Sequence, residues 1–343
     1  AKSKDSPTAV VQGDAMIKSP VNQFDSFPTS RTLEVVVRDG DVIIHLEEYA
    51  DRLLQFKKNR LYIINISQEI EFLEAELKHK GVNSPGSVAK TDMGIVWANK
   101  HGVFLYDGQQ VVNLLEKGGI KMISDSEWDS FLPVDKDPMV GYIPNKRQVI
   151  VADAVDADGD GSFYLFDFVT QSWVKSSAAK ITDAVKSNFA NDWDGELIYH
   201  SATATYQWNS ASAASAGVDL KTKDIDFGQP GVRKKIYKVY ISYRGNATNV
   251  QVHYGVDGLA PALTFNNITS GTDGSTTGAG SNAKCIPYDA GTTDWLKAEL
   301  KPSVSINNIN SFRLKLSGDG SNTIHADFEI NDITIIYRGK NVK

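Results

Sequence analysis

The sequence predicts an all-β protein: a β-propeller-like repeat domain of about four blade units, few enough to leave the ring incomplete, followed by an antiparallel β-sandwich of jelly-roll type. Three observations carry this. Short runs rich in β-branched and aromatic residues recur as strand, four-residue turn and strand, starting at residues 53, 95, 140 and 196, spacings of 42, 45 and 56. A period of ~40–50 residues built from short strands is the signature of a propeller, in which one meander cannot bury both of its faces alone. From Val218 onward the strands lengthen and alternate cleanly between apolar and polar positions. The small-residue stretch Ser210 to Gly217 marks the change, so the expected organisation is an extended arm over 1–30, a propeller-like domain over 31–217 and a sandwich over 218–343.

The arm is polar, carries Pro7, Pro20 and Pro28, and shows little periodicity. Leu33 to Val37, Asp39-Gly40 and Val42 to Leu46 then read as a hairpin, since Asp-Gly favours a tight turn. Copy one of the repeat is Leu53 to Phe56, the turn Lys57 to Arg60, and Leu61 to Asn65. Copy two is Ile95 to Ala98, Asn99 to Gly102, and Val103 to Asp107. Copy three is Val140 to Ile143, Pro144 to Arg147, and Gln148 to Asp153. Copy four is Glu196 to Tyr199, His200 to Thr203, and Ala204 to Asn209. A third strand is expected after each of the first three copies, at Ile70 to Leu77, Gln110 to Leu115 and Ser172 to Lys175. Leu61 to Ile66 is apolar on both parities, as a strand covered on both faces should be. The spacing of Ile181, Ala184, Val185 and Phe189 predicts a helix over 178–188. Trp97, Trp128, Trp173, Trp193 and Trp208 are assigned to blade cores; a sugar-binding shelf would need two or more exposed on one face.

In the sandwich, Tyr237, Val239, Ile241 and Tyr243 share one parity and Lys238 and Ser242 the other. Further strands are expected at Val250 to Tyr254, Leu263 to Phe265, Leu296 to Leu300, Phe312 to Leu316 and Ile324 to Tyr337. In the last, Phe328 and Ile330 are out of phase with Ile333, Ile335 and Tyr337, which predicts a β-bulge at Asn331-Asp332. Gly271 to Asn282 reads as a glycine-rich loop that opens no helix and so cannot cradle a phosphate.

Composition bounds the function. With 343 residues, 41% hydrophobic and 23% charged, the chain is ordinary globular material for two domains. A net charge of −6 and a pI near 5.6 argue against binding nucleic acid by neutralising phosphates. The basic cluster Arg233-Lys234-Lys235 reads as a solvated strand entry. Cys285 is the single cysteine, so neither an intramolecular disulfide nor a zinc cluster is expected, in keeping with a reducing cytosol. No run approaches the ~18 apolar residues of a membrane span, and no apolar leader opens the chain. It begins with Ala1, so either an initiator was removed or this is a portion of a longer product.

Chemistry is sparsely signalled, and no enzyme activity is expected. Asp156, Asp158, Asp160 and Gly161 match the start of a D-x-D-x-D-G calcium loop, with Ser162 next and Asp167 at the twelfth position. Carboxylates two residues apart converge on one hard cation if the chain winds around it, and Ca²⁺ is therefore the one candidate cofactor. Against this, no helices flank the loop and Asp167 falls in an expected strand; a solvated acidic turn is the alternative. Histidines 45, 79, 101, 200, 253 and 325 show no metal-ligand spacing, and His101 and His200 fall in corresponding turns. The groups Glu69, Glu71, Glu74 and Glu76, and Asp125, Glu127 and Asp129, read as solvent-facing positions rather than a glycosidase pair.

Glu48 to Ser67, EYADRLLQFKKNRLYIINIS, and Asp224 to Tyr243, DIDFGQPGVRKKIYKVYISY, resemble segments of tail and neck proteins of tailed bacteriophages. With the repeat between them they cover most of residues 48–243, and the closing FEINDITIIYRGK is consistent with the same class. The resemblance implies a structural subunit of a virion, in a tail, neck or nozzle ring, assembled in the host cytoplasm. The expected partners are copies of itself and portal, adaptor, tail or fibre proteins, with no specific nucleic-acid binding. It carries over no functional residues. Full tail nozzle proteins are usually longer, which leaves three ways to complete the ring: the hairpin at 33–46, another part of the polypeptide, or a neighbouring subunit. A carbohydrate-binding or receptor-binding adhesin module is the alternative.

Overall fold

The computed structural model describes residues 13–33, 40–68, 70–133, 137–153, 162–176, 189–201, 204–208, 219–247, 250–266, 286, 294–318, 324 and 327–340. The fold is all-β apart from one short α-helix and three single-turn 3-10 helices among these residues, and the chain divides into two compact units, Ala1–Ser210 and Ala211–Lys343. The expected helix over 178–188, the strand Leu33 to Val37 beyond its first residue, the loop Gly271 to Asn282 and Cys285 lie outside the described residues.

The first unit opens with β1 (Met16–Ile17) paired to β2 (Thr32–Leu33), so the arm is folded back on itself over part of its length. Lys18 then reaches Glu71, and the Ile43 N–H donates to the Gly13 carbonyl at 2.9 Å. The first sheet is β3 (Ile43–Tyr49), β4 (Arg52–Lys57), β5 (Arg60–Asn65) and β6 (Phe72–Lys78), paired in that order. Ile43 to Leu46 of the expected hairpin thus open β3, the strand that flanks copy one, while its partner residues 34–37 lie outside the described residues. The second sheet is β7 (Val88–Thr91), β8 (Gly94–Asn99), β9 (Gly102–Tyr106) and β10 (Val111–Asn113). A short hairpin, β11 (Glu116–Lys117) and β12 (Ile120–Lys121), and the helix α1 (Asp125–Phe131) follow. The third sheet is β13 (Met139–Ile143), β14 (Gln148–Ala152), β15 (Phe163–Asp167) and β16 (Ser172–Ser176). The fourth has three strands, β17 (Ala190–Asn191), β18 (Leu197–Ser201) and β19 (Ala204–Gln207).

Three expectations about the repeat need correction. The first three units are four-stranded meanders, because a strand also precedes each of the first two copies. Copy three is out of phase with the others: it holds the first and second strands of its sheet, whereas copies one and two hold the second and third. The turn Pro144–Lys146, closed by Arg147 in the left-handed region (φ 53°), mimics the turn inside the other copies. The middle turns of the first two sheets are also tighter than four residues, since Asn99 pairs with Gly102 and leaves only Lys100 and His101 between.

Both parities of the central strands are buried because consecutive sheets stack face to face. Ile95 and Trp97 of β8 join Leu54, Phe56, Leu61 and Ile63 in one core, while Val96 and Ala98 face Val140, Tyr142, Val149 and Val151 in the next. β14 repeats the arrangement: Val149 and Val151 face back, and Ile150 and Ala152 pack with Leu197, Tyr199 and Trp208 of the fourth sheet. Among the described residues, no core cluster joins the fourth sheet to the first. Trp97, Trp128 and Trp208 are buried as expected and Trp173 packs half-buried on the second core. Trp193 is fully exposed in a turn, against its assignment to a blade core.

The second unit contains β20 (Asp219–Lys221), β21 (Lys234–Arg244), β22 (Val250–Val256), β23 (Leu263–Asn266), β24 (Leu296–Pro302), β25 (Ile306–Ile309), β26 (Phe312–Gly318) and β27 (Glu329–Gly339). All pairings are antiparallel. β20, β26, β22 and β23 form one layer, and β21 with β24, β25 and β27 the other. β23 joins both, through Leu263 and Thr264 to β22 and through Phe265 and Asn266 to β24. A single apolar core takes Val239, Ile241, Ala298 and Leu300 from one layer and Val252, Tyr254, Phe312 and Leu314 from the other, as a sandwich requires.

The bulge at Asn331 is present: Ser242 pairs with Asp332 and Tyr243 with Ile330, so Asn331 is the extra residue. It brings Phe328 and Ile330 on one side, and Ile333 and Ile335 on the other, against the same core. A second irregularity at Tyr237 reverses the parity of β21, so Ile236 is buried in place of the expected Tyr237, which is exposed. Lys234 is likewise not a solvated strand entry. It is fully buried, and its ammonium donates to the carbonyls of Gln229 and Asn310, at 2.5 and 2.9 Å, which offsets the cost of removing the charge from water.

Candidate functional site

The strongest sequence candidate for chemistry was the acidic loop. Asp156, Asp158 and Asp160 lie outside the described residues, and only Ser162 and Asp167 are placed. Asp167 closes the turn between β15 and β16. Its Oδ1 accepts the N–H groups of Val169 and Thr170 at 2.8 and 3.0 Å, and its Oδ2 accepts the Gln148 amide at 2.9 Å. The Gln148 bond, then the Thr170 N–H, hold its carboxyl below the usual range. Its turn role repeats at the corresponding third-to-fourth-strand turns, where Asn65 accepts from Ser67 and Asp107 from Gln109 and Gln110. Among the described residues, no three His, Cys, Asp or Glu side chains are grouped to hold a metal.

The carboxylate groups resolve into structural pairs. Glu71 meets Lys18, Glu74 meets Arg52 at 2.8 Å, and Glu76 meets Arg60 at 2.6 Å; Glu69 is outside the described residues. Hydrogen bonds from Lys18 and Arg52 are the main reason Glu71 and Glu74 are held below the usual carboxylate range. Asp125 and Glu127 belong to α1, which sequence reading missed. Ser124 Oγ accepts the Glu127 N–H at 3.3 Å and Glu127 Oε2 accepts the Ser124 N–H at 3.1 Å, a reciprocal cap. The signal was legible as Ser124-x-x-Glu127 ahead of Trp128 and Phe131, the two buried residues of the helix.

A feature that sequence reading did not find is a cleft of about 500 Å³ where the first two sheets end. Lys58 and Asn59 come from the β4–β5 turn, Lys100 and His101 from the β8–β9 turn, and His79 and Asn83 from the chain between β6 and β7. Backbone anchors fix these turns. Asp41 accepts the N–H groups of Lys58 and Asn59 at 3.2 and 2.8 Å. The Asn99 amide donates to the carbonyls of His79 and Gly81, at 3.2 and 2.8 Å, while its oxygen accepts the His101 N–H at 2.7 Å. Gly81 is required by contact: a Cβ there would stand 2.2 Å from the Lys57 carbonyl oxygen and 2.6 Å from the Arg60 nitrogen. His79 occupies the left-handed region (φ 62°), with its N–H donating to the Asn59 carbonyl at 2.9 Å.

The imidazoles of His79 and His101 meet edge to face with centroids 5.0 Å apart. Burial pushes the His101 imidazole to a lower pKa; Lys100, His79 and Lys80 add to this and Asp129 opposes it. Lys80, between His79 and Gly81 in the chain, lays its ammonium over the Phe104 ring, 3.4 Å from the centroid; burial lowers its pKa too, opposed by the charge of Glu116. His200, expected in the matching turn of the fourth sheet, is instead a β18 strand residue paired with Thr205.

The second unit contributes an edge rather than a concavity. β27 pairs along its length with β21, and its other edge has no strand partner among the described residues.

No family model matches the chain, and no curated protein matches it. Among solved structures it is similar to a chain in a nidogen/laminin complex, with 11% identity and a TM-score of 0.32, over 55% of this chain and 66% of that one, just under two thirds of its length. It is also similar to an exo-β-1,3-galactanase from Phanerochaete chrysosporium determined with β-1,3-galactotriose, with 8% identity and a TM-score of 0.25, over 90% and 72% of the two chains. At these scores neither likeness carries an argument about function. No helix among the described residues is long and apolar enough to cross a membrane.

Proposed function

We propose that the chain is a structural subunit of a tailed-bacteriophage virion, forming part of a tail, neck or nozzle ring through contacts with copies of itself and with other virion proteins. The observation that carries the reading is the outer edge of β27, eleven residues long and without a strand partner among the described residues. Isolated soluble proteins normally cover or blunt so long an edge, because its unpaired N–H and C=O groups template pairing with another chain. Its charges suit self-pairing: Glu329 and Asp332 lie towards one end and Arg338 and Lys340 towards the other, so an antiparallel copy sets acid against base. The arm adds apolar surface, with Val21 and Phe24 each 84% exposed. The phage assignment itself is supported by the resemblance of residues 48–67 and 224–243 to tail and neck proteins.

Light scattering coupled to size exclusion tests assembly, and electron microscopy tests for a ring. Concentration-dependent oligomers that are lost when Thr334 and Ile336 are both replaced by Pro are expected; a persistent monomer at high concentration counts against the reading. The adhesin alternative has less behind it. The exposed tryptophans, Trp193 and Trp295, belong to different units and make no shared shelf within either.

A further inference from the structure

The chain carries a net charge of −6, yet one concavity gathers cations. Lys58 and Lys100 stand exposed at the tips of the two hairpins that border the cleft, and neither ammonium makes an ion pair among the described residues. His79 and His101 bring two imidazoles to the same lining, and the exposed amides of Asn59 and Asn83 make no hydrogen bond there among the described residues. Lys80, next in the chain to His79, lays its ammonium over the Phe104 ring, where Glu116 also acts on it; Glu116, Asp125 and Asp129 line a neighbouring concavity that shares Lys100 and His101. Asp137 is the one carboxylate on the lining of the cleft itself, and it already has a partner.

A concavity with low-dielectric walls focuses the field of such charges, and amide and imidazole N–H groups supply directed donors that a solvated surface patch lacks. The volume falls in the range of small-molecule sites, about 300–1,000 Å³, and is too confined for a folded partner. The polar lining disfavours an apolar ligand. We propose that this cleft binds a small organic or inorganic anion, a carboxylate, sulfate or phosphate group either free or carried on a sugar-sized body. The site lies within one unit, so it does not depend on the assembly proposed above and is expected in monomer and oligomer alike.

Isothermal titration of the full chain with sodium phosphate, sodium sulfate, glucuronate and glucose tests this, each taken to about 20 mM, where millimolar affinities register. Saturable heat from at least one anion and none from glucose is the expected result. Binding of glucuronate but not phosphate or sulfate assigns the site to an acidic sugar, and the reverse assigns it to the free anion. The double variant K58A/K100A, changed only at exposed turn positions, should weaken binding at least about tenfold, and added sodium chloride should weaken the wild type. Four results would each overturn the proposal: no saturable heat from any anion, glucose binding as well as glucuronate, a correctly folded double variant with unchanged affinity, or affinity indifferent to salt.

Discussion

Deletions at the Asn331 bulge test how it sets the register of β27. With Asn331 in place, Phe328 and Ile330 upstream and Ile333 and Ile335 downstream all pack on the sandwich core. Removing Asn331 alone takes out the one extra residue. The four apolar side chains then fall at every second position of a regular strand and keep their face, with Tyr243 still opposite Ile330 and Ser242 opposite Asp332. The Tyr243–Phe328 ring contact, at 5.9 Å between centroids, and the Arg244–Glu329 ion pair, at 2.7 Å, are kept. That deletion should cost less than about 1 kcal/mol. Removing Asn331 and Asp332 together instead puts the two apolar pairs on opposite parities, and one pair must turn to solvent. Full burial of each apolar side chain is worth about 1.5–3 kcal/mol, and these are only partly buried. The expected loss is therefore about 2–3 kcal/mol, read as a fall in the urea midpoint of the transition that unfolds the second unit. A double deletion as stable as the parent, or a single deletion as unstable as the double, would refute the reasoning.

Gly81→Ala should cost about 3 kcal/mol or more, because the new methyl meets backbone atoms of Lys57, Lys58 and Arg60 that cannot swing aside; chemical denaturation measures it, and an unchanged midpoint contradicts the contact argument. Burial, reinforced by a 3.0 Å hydrogen bond to Asp92, pushes the Tyr142 hydroxyl up to about 12. An unfolded tyrosine loses its proton near pH 10, so this contribution is fully present below pH 10 and is lost as pH rises towards 12, by up to about 3 kcal/mol. Unfolding curves between pH 9 and 12 should show a shallower decline for Tyr142→Phe than for the parent; parallel declines would assign the alkaline loss to other groups.

What the sequence made legible was whatever local periodicity controls. Runs apolar on both parities announced strands buried on both faces, and the phase slip in β27 announced its bulge. The outer strand β7 escaped notice because VAKT is short and half polar, with its burial supplied by the neighbouring sheet. Copy three was read out of phase because a proline-led 3-10 turn between β13 and β14 looks, in sequence, like the turns inside the other copies. Lys234 looked solvated because nothing local reveals that two carbonyls, one of them 76 residues away, receive its ammonium. The cleft was invisible for a related reason. Lys58, His79 and Lys100 share no motif spacing, and only the stacking of one sheet on the next brings them to a common rim.

The pairing of β21 with β27 also bears on how the chain acquires its structure. The blades of the first unit are meanders of neighbouring strands, whose turns close over a few residues and can form as each segment becomes available. The sandwich cannot proceed that way: β21 is joined to residues 329–339 by a ladder that spans most of the unit, so its loop-closure entropy is met late. Until then one side of β21 is open. A ribosome-bound chain would therefore present completed blades beside an adhesive half-sandwich, and slow release of residues 329–339 would expose that surface to aggregation, whatever the final stability of the fold.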